Sequence, residues 1–174
     1  MHIRYLTLFA VLSLAACVAP PSPPAPKIVA APAPSATTPP QQLTGDWNDW
    51  PFTPGNWTYR RDSRGSVAQF GMSGRNPMIS FRCDVENRHI TLSREASAPG
   101  VRLVIRTSSM TKTLAATASA TNSAYLTANI TTTDPILDAM AFSRGRVLVE
   151  MEGQHPVILP SWAEIARVVE DCRG

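Results

Sequence analysis

Long apolar runs, histidine and cysteine are scarce in this chain of 174 residues. The apolar stretch from Leu6 to Leu14 has about half of the roughly 20 residues that a membrane-spanning helix needs. None of the three histidines, His2, His89 and His155, stands near a cluster of carboxylates or cysteines. Ligand clusters of that kind hold metal ions and form catalytic bases. We therefore expect no membrane-spanning helix, no metal site and no cofactor.

Sequence motifs of enzyme active sites are also missing. The chain has no G-x-S-x-G elbow, no glycine-rich phosphate loop and no H-E-x-x-H helix. Ser161 could be a nucleophile, but it stands three residues before Glu164, which is the spacing of a helix capping box. No partner base for Ser161 is identifiable. We expect a protein without catalytic residues rather than an enzyme.

Charge of one sign is not in large excess. The formal net charge is +3, but two of the 16 basic residues, Arg4 and Lys27, precede the stretch from residue 43 onward. That stretch carries the other 14 against all 13 acidic residues. A nearly neutral domain provides no electrostatic basis for binding nucleic acid. Nucleic acid is therefore not an expected partner.

The N-terminus has the order of an export signal. His2 and Arg4 form a short basic start, the apolar run follows, and Leu14-Ala15-Ala16-Cys17 ends it. This tetrapeptide resembles the lipobox of bacterial lipoproteins. The resemblance implies that residues 1–16 are a signal peptide and that Cys17 becomes lipidated, so the membrane is a partner through a lipid anchor. Residue 18 is Val rather than the Asp that retains such proteins in the inner membrane, which favours the outer membrane, with the domain facing the periplasm.

Residues 17–42 are predicted to be a linker. Nine of the 16 prolines lie between residues 19 and 40. Proline fixes φ and removes a backbone donor, so this stretch is expected to be extended, with a reach of about 3.1 Å per residue. Residues 43–174 are then the only part of the chain able to build a core, and they suit a single globular domain.

Two cysteines remain once Cys17 is assigned to lipid. Cys83 and Cys172 would be exported to an oxidising compartment, where a disulfide is expected. Two buried free thiols, or one reactive thiol, are the alternatives.

Alternating apolar residues predict a mainly β domain. The alternation is clearest in Ile79–Val85 and in His89–Arg94, which form a predicted hairpin. In the first of these strands it puts Cys83 on the inward face together with Ile79, Phe81 and Val85. Val101, Leu103 and Ile105 indicate a third strand after a turn at Pro99-Gly100. Further strands are predicted at 57–61, 67–72, 113–118, 125–130, 147–151 and 155–159.

Helical periodicity occurs only near the C-terminus. Asp134-Pro135 predicts the start of a short helix that ends near Gly145, with Asp as N-cap. The capping-box spacing of Ser161 predicts a second helix whose apolar face includes Trp162, Ile165 and Cys172. The predicted fold is α+β: an antiparallel β-sandwich or partly open barrel, with one short helix and one C-terminal helix packed on it.

Two groups of side chains are candidate ligand contacts. Arg82, Arg102 and Arg106 occupy the polar positions of strands that are expected to be adjacent, where they would form a basic stripe for an anionic lipid, glycan or peptide. The alternative is that they only solvate an exposed sheet face. Trp47 and Trp50 lie just after the linker, with Phe52 and Trp57, and are either a ligand platform or a plug that closes one end of the core.

The order of elements resembles that of the invasion-associated locus B type of small exported bacterial proteins. The resemblance covers most of residues 55–174 and includes a tryptophan-bearing first strand, the inward Cys83, the small helix around Leu137–Arg144 and a final helix after Pro160. The lipobox and the proline-rich linker are departures from that family. The resemblance implies an association with the cell envelope and provides no catalytic residue.

These expectations combine into one functional hypothesis. The chain is a lipid-anchored cell-envelope protein with a non-catalytic binding or structural role, whose partner is an envelope protein or glycan. The alternative is an inhibitor of a host hydrolase such as lysozyme, with the loop Arg144–Arg146 entering the enzyme cleft.

Overall fold

Two antiparallel sheets and two helices make up the part of the chain that the structure, a computed structural model, describes: residues 43–96 and 102–174. The predicted mainly β fold with two helices is confirmed. The sheets are not closed into a barrel, so an open two-sheet arrangement is present. The predicted signal peptide, Cys17, the predicted linker, the predicted turn at Pro99-Gly100 and Val101 lie outside the described residues.

The larger sheet has six strands in the spatial order β1-β2-β3-β4-β8-β7. These strands are β1 (Asn56–Asp62), β2 (Gly65–Gly71), β3 (Ile79–Asp84), β4 (His89–Glu95), β7 (Thr117–Ala118) and β8 (Tyr125–Thr131).

The smaller sheet has four strands in the order β10-β9-β5-β6. Its strands are β5 (Arg102–Arg106), β6 (Thr111–Ala115), β9 (Arg146–Met151) and β10 (Gln154–Pro160). The helices are α1 (Pro135–Ala141) and α2 (Ala163–Arg173), and a short 3-10 turn spans Trp47–Asp49.

The inner face of the larger sheet follows the predicted alternation. Ile79, Phe81 and Cys83 of β3 are fully buried and pair in register with Arg94, Leu92 and Ile90 of β4. Successive strand residues point to opposite faces, so one face of each strand enters the core. The register also places Cys83 and Arg94 near opposite ends of this face. The prediction that Val85 also faces inward is wrong: β3 ends at Asp84, and Val85 is 46% exposed.

One predicted strand is divided between the two sheets. Residues 113–118 were expected to form a single strand, but β6 pairs with β5 and β7 pairs with β8. Ala116, between β6 and β7, is buried. The chain therefore crosses from the smaller sheet to the larger one at this point, which breaks the continuous strand.

Helix α1 begins as predicted and ends earlier. The Asp134 carboxylate accepts a hydrogen bond from the Ile136 backbone N–H at 3.0 Å, and Pro135 occupies the first turn, where its missing donor costs nothing. The last helical residue is Ala141, before the predicted end near Gly145. Ile136, Leu137 and Met140 are its buried residues.

Helix α2 begins without the predicted capping box. It starts at Ala163, and its N-cap residue Trp162 makes no side-chain cap hydrogen bond. The Ser161 hydroxyl instead donates to the Met140 carbonyl at the end of α1, at 3.2 Å. Trp162 is 47% exposed, so its prediction as part of the buried face is also wrong.

The rest of the predicted apolar face of α2 is confirmed. Its buried residues include Ile165, Val168 and Val169, which belong to the same core as the inner face of the larger sheet. Cys172, in the last turn, is bonded to Cys83 of β3. The Cα atoms of this pair are 5.4 Å apart and the residues are 89 positions apart in the chain, so the predicted disulfide is confirmed.

We expect loss of this disulfide to destabilise the domain by about 4 to 5 kcal/mol, because a closed loop of this length removes much conformational freedom from the unfolded chain. Guanidinium unfolding of the full chain in detergent, with and without the double substitution Cys83→Ala and Cys172→Ala, measures the difference. Reduced wild-type protein is the control, because it lacks the disulfide bond but keeps both sulfur atoms in the core. An unchanged unfolding midpoint in both samples would contradict the expectation.

Candidate functional site

The three arginines predicted to form a basic stripe lie on two different sheets. Arg82 is on β3 of the larger sheet, whereas Arg102 and Arg106 are on β5 of the smaller one. The prediction of one stripe across adjacent strands is therefore wrong. The reason is that the chain changes sheets between β4 and β5, which alternation along the sequence does not reveal.

Each of these arginines also has an acidic neighbour. Arg82 pairs with Asp62 at 2.7 Å and Arg106 with Glu150 at 2.8 Å. The Arg102 pair with Glu152 is longer, at 4.0 Å, and highly exposed. Pairing neutralises much of the positive charge that was expected to attract an anionic ligand. The role of these residues as ligand contacts stays a prediction.

The aromatic segment before β1 lies against the edge strand of the smaller sheet. The Thr53 N–H donates to the Ile158 carbonyl of β10, and the Ile158 N–H donates to the Thr53 hydroxyl, both at 2.9 Å. Trp47 and Trp50 are half-buried, and the Trp50 indole donates to the Thr44 carbonyl at 3.1 Å. These bonds describe a segment packed on the sheet. A ligand-binding role for the two tryptophans stays a prediction.

Trp57 differs from Trp47 and Trp50 because its side chain is buried. It is 7% exposed, packs on the rings of Phe70 and Phe81, and donates its indole N–H to the Pro160 carbonyl at 3.0 Å. This side chain belongs to the core, where it joins β1 to the end of β10.

The loop proposed to enter a hydrolase cleft is largely held in place. The Arg146 guanidinium donates to the Trp50 carbonyl and lies 4.7 Å from the centre of the Phe52 ring. The Arg144 backbone N–H donates to the Ser108 hydroxyl at 2.9 Å. Only the Arg144 side chain is exposed at this loop.

A cavity of about 520 Å³ lies beside the disulfide end of the domain, and we call it the α2 cavity. Gly65, in its wall, has a φ of +140°, and a Cβ atom there would lie 2.5 Å from the Cys83 carbonyl oxygen. Only glycine therefore fits where β2 passes the disulfide. The cavity is lined by Arg61, Asp62, Ser63, Gly65, Val85, Glu170, Asp171 and Gly174.

Asp62 and Asp171 of the α2 cavity are paired with arginines of the protein. The Tyr59 hydroxyl and the Arg61 guanidinium both donate to the Asp171 carboxylate. Burial opposes ionisation of Asp171, but the hydrogen bonds from Tyr59 and Arg61 outweigh it and keep the Asp171 pKa below its ordinary value. This network fastens α2 to β1 and leaves little unpaired charge for a ligand.

The opposite end of the sandwich contains a second cavity, of about 310 Å³, which we call the Arg94 cavity. It lies between β4 and the β9–β10 turn. Its lining residues are Met78, Arg94, Glu95, Gly153, Gln154, His155 and Val157.

Arg94 is the most unusual residue of this cavity. Its side chain stands on the core face of β4 and is only 2% exposed. The guanidinium donates to the backbone carbonyls of Val149 and His155, which connects the two sheets. Its Nε has no hydrogen-bond partner among the described residues. Burial lowers the pKa of Arg94 to about 10, against a smaller opposing effect of the Glu150 charge, so the side chain is still a cation at neutral pH.

An irregular turn forms the other wall of the Arg94 cavity. The β9–β10 register shifts between Gln154 and Val157, and Gly153 of the turn has a φ of +73°. Bulges of this kind change the direction in which the groups of a strand point. Here the His155 carbonyl accepts a hydrogen bond from the Arg94 guanidinium. The His155 side chain is exposed.

A neighbouring cavity of about 530 Å³ shares Met78 and Glu95 with the Arg94 cavity. The two therefore open beside each other along the β2–β3 loop. Met72, which is 44% exposed, adds an apolar surface there. The remaining lining residues of this neighbour are Gly74, Arg75 and Asn76.

Groups typical of catalysis do not converge at the Arg94 cavity. Its described lining contains one histidine and one carboxylate, and it has no Ser, Thr or Cys that could act as a nucleophile. His89, on β4, is half-buried and pairs with Asp84 and Thr131 in the sheet. Within residues 43–96 and 102–174, no group of three or more His, Cys, Asp or Glu is arranged to hold a metal ion.

Arg94 was not among the predicted site residues, although its position in the sequence indicates burial. Arg94 lies two residues after Leu92 and four after Ile90. A strand places such residues on one face, so the alternation that buried Ile90 and Leu92 also required a buried arginine.

No family model, curated protein or solved structure matches this chain. Among the described residues, no helix has the length and apolar character needed to span a bilayer.

We expect Asp171→Asn to destabilise the domain by about 1 to 3 kcal/mol at neutral pH, because it removes the charged acceptor from Tyr59 and Arg61. The wild-type chain should lose this contribution as the pH falls, because a carboxylate with a lowered folded-state pKa stabilises the fold above its unfolded pKa of about 3.9 and stops doing so below its folded pKa. Chemical unfolding of both proteins between neutral pH and about pH 2 measures this, and the difference between them should shrink on acidification. Asp49→Asn, at an exposed aspartate, is the matched control. A difference that does not depend on pH would contradict this account of Asp171.

Proposed function

We propose that this chain is a lipid-anchored protein of the bacterial cell envelope with a non-catalytic binding role. The lipobox-like Leu14-Ala15-Ala16-Cys17, preceded by a basic start and a short apolar run, supports the anchor. Acyl chains stabilise membrane attachment by about 0.8 kcal/mol per buried methylene, so two or more chains on Cys17 would hold the protein on the bilayer. The absence of Asp at position 18 supports the outer membrane, with the domain facing the periplasm.

The Cys83–Cys172 disulfide supports the same compartment. Disulfides persist in oxidising spaces such as the periplasm and are rare in the cytosol. This one joins the core face of β3 to the last turn of α2, so it is built into the packing of the domain.

The observation that carries the binding role is the Arg94 cavity. It combines a buried cation, apolar walls from Met78 and Val157, and polar groups from Gln154 and His155. Small-molecule sites are concave and mostly apolar, with a few placed polar groups. A lining with a histidine and a carboxylate but no nucleophile favours binding over hydrolysis.

The anchor is tested by fatty-acid labelling. Cells that express the wild-type chain and are fed an alkyne-tagged palmitate should give a labelled protein, and Cys17→Ser should abolish the label. Val18→Asp should keep the label but move the protein from outer-membrane to inner-membrane fractions on a density gradient. Labelling of Cys17→Ser, or an intact N-terminus in the wild-type mass spectrum, would refute the proposal.

The partner is tested by cross-linking in intact envelopes and capture of the full chain in detergent, with and without added lysozyme. Recovery of envelope proteins or glycan above the level seen with an unrelated lipoprotein supports the proposed role. Stoichiometric recovery of lysozyme alone, lost on Arg144→Ala, would favour the hydrolase-inhibitor alternative instead.

A further inference from the structure

We infer that the Arg94 cavity binds a small carboxylate that carries a short apolar group, of the kind found at the C-terminal end of a peptide. This inference deepens the proposed binding function and rests on it. It concerns the ligand only and is independent of the lipid anchor.

The first argument is the unpaired charge of Arg94. A guanidinium has five N–H donors, and the structure assigns two partners to this one, the carbonyls of Val149 and His155. Arg94 forms no ion pair with a carboxylate of the described residues. An arginine used only to connect two sheets could be replaced by a neutral donor. The Glu150 charge stabilises the cation only from beyond ion-pair distance. A buried cation without a directly paired carboxylate is destabilising, and a bound carboxylate would provide that pair.

The second argument is geometry. A carboxylate has two oxygens that match two parallel N–H groups of an arginine, and such pairs form the strongest hydrogen bonds of this type. The Nε–H of Arg94 is buried and has no described partner, and the residue lines the cavity. Nε together with a neighbouring terminal nitrogen is one of the edges that carboxylates use on arginine. A carboxylate would therefore pair with this edge by displacing the atoms that now cover it.

The third argument is the size and polarity of the space. A volume of about 310 Å³ is at the lower end of the range of small-molecule sites. Met78 and Val157 give the cavity two apolar walls, which suit a methyl or a similar small group. Gln154 and His155 add polar groups at its rim.

The fourth argument selects a carboxylate over a phosphate. Glu95 lines the same cavity, and the Glu150 charge also acts on Arg94. These acids repel an anion, and the described lining has no Lys or second Arg to offset the second charge of a phosphate dianion. The cavity therefore favours an anion with a single charge.

The test is an NMR titration of the full chain, ¹⁵N-labelled and held in detergent. N-acetylalanine is the carboxylate probe, and N-acetylalaninamide is the matched neutral one. We expect N-acetylalanine to shift the Arg94 Nε–H resonance in a saturable way, with a Kd of about 1 mM or tighter. The amide should bind at least about tenfold more weakly, because it lacks the charge. A pentapeptide that ends in alanine, added separately, should bind more tightly than N-acetylalanine if the source is a peptide end, and no better if it is a free small acid.

Variants separate binding from folding. Glu95 is exposed, so Glu95→Gln should leave the fold intact, remove the like charge and increase the affinity for N-acetylalanine about threefold or more. Glu86→Gln is the matched control, since Glu86 is exposed in the β3–β4 turn at the other end of the sheet, and it should have no effect. Arg94→Lys keeps the charge but not the planar pair of donors, so the folded variant should bind N-acetylalanine more weakly than the wild type does.

Three results would overturn the inference: no saturable shift at Arg94, equal binding of the acid and the amide, or an unchanged affinity in Glu95→Gln. Tighter binding of inorganic phosphate than of N-acetylalanine would overturn the assignment of a monoanion. If the titration fails while Cys17 is labelled with palmitate, the anchor stands and only the ligand is refuted.

Discussion

The bond between Cys83 and Cys172 is the constraint on which the arrangement of this domain depends. It joins a fully buried position on β3 to the last turn of α2. The larger sheet has six strands and the smaller one four, and α2 packs on the inner face of β2 and β3. Tyr59 and Arg61 of β1 donate hydrogen bonds to Asp171, which is in the same turn of α2 as Cys172. A disulfide and a charged hydrogen-bond network therefore both attach the end of α2 to the larger sheet.

Charged side chains at the two ends of the inner sheet face differ in whether they form an ion pair. At the disulfide end, Asp171 and Arg61 neutralise each other, which fits a structural role. At the other end, Arg94 is buried with carbonyl partners and forms no ion pair with a carboxylate of residues 43–96 or 102–174. Carbonyl dipoles lower the cost of burying a cation without cancelling its charge.

Much of the fold could be predicted because local patterns agreed with tertiary packing. The alternation in β3 and β4 identified the inner face and put Cys83 on it, and Asp134-Pro135 marked the start of α1. Predictions failed where distant contacts decided the outcome. Ser161 has the spacing of a capping residue, yet the Met140 carbonyl at the end of α1 is its actual acceptor. The strand predicted at 113–118 divides because each half finds its partner in a different sheet.

The candidate site was harder to predict than the fold, for a physical reason. Arg82, Arg102 and Arg106 were grouped by their positions along the chain, but only the sheet order reveals that β3 and β5 are not neighbours. Arg94 was overlooked because a charged residue at a strand end is usually solvated. Its burial depends on β9 and β10, which lie more than fifty residues away.

The contact between Thr53 and Ile158 has a consequence for behaviour at high concentration. An open sheet exposes unpaired N–H and C=O groups along its outermost strands, and these can pair with another molecule and start aggregation. Thr53 occupies part of that row on β10. On the outermost strands of the larger sheet, β1 carries Arg60, Arg61 and Asp62, and β7 has only two residues. Three of the four outermost strands are therefore covered, charged or very short, which reduces the number of places at which two copies could pair strand to strand.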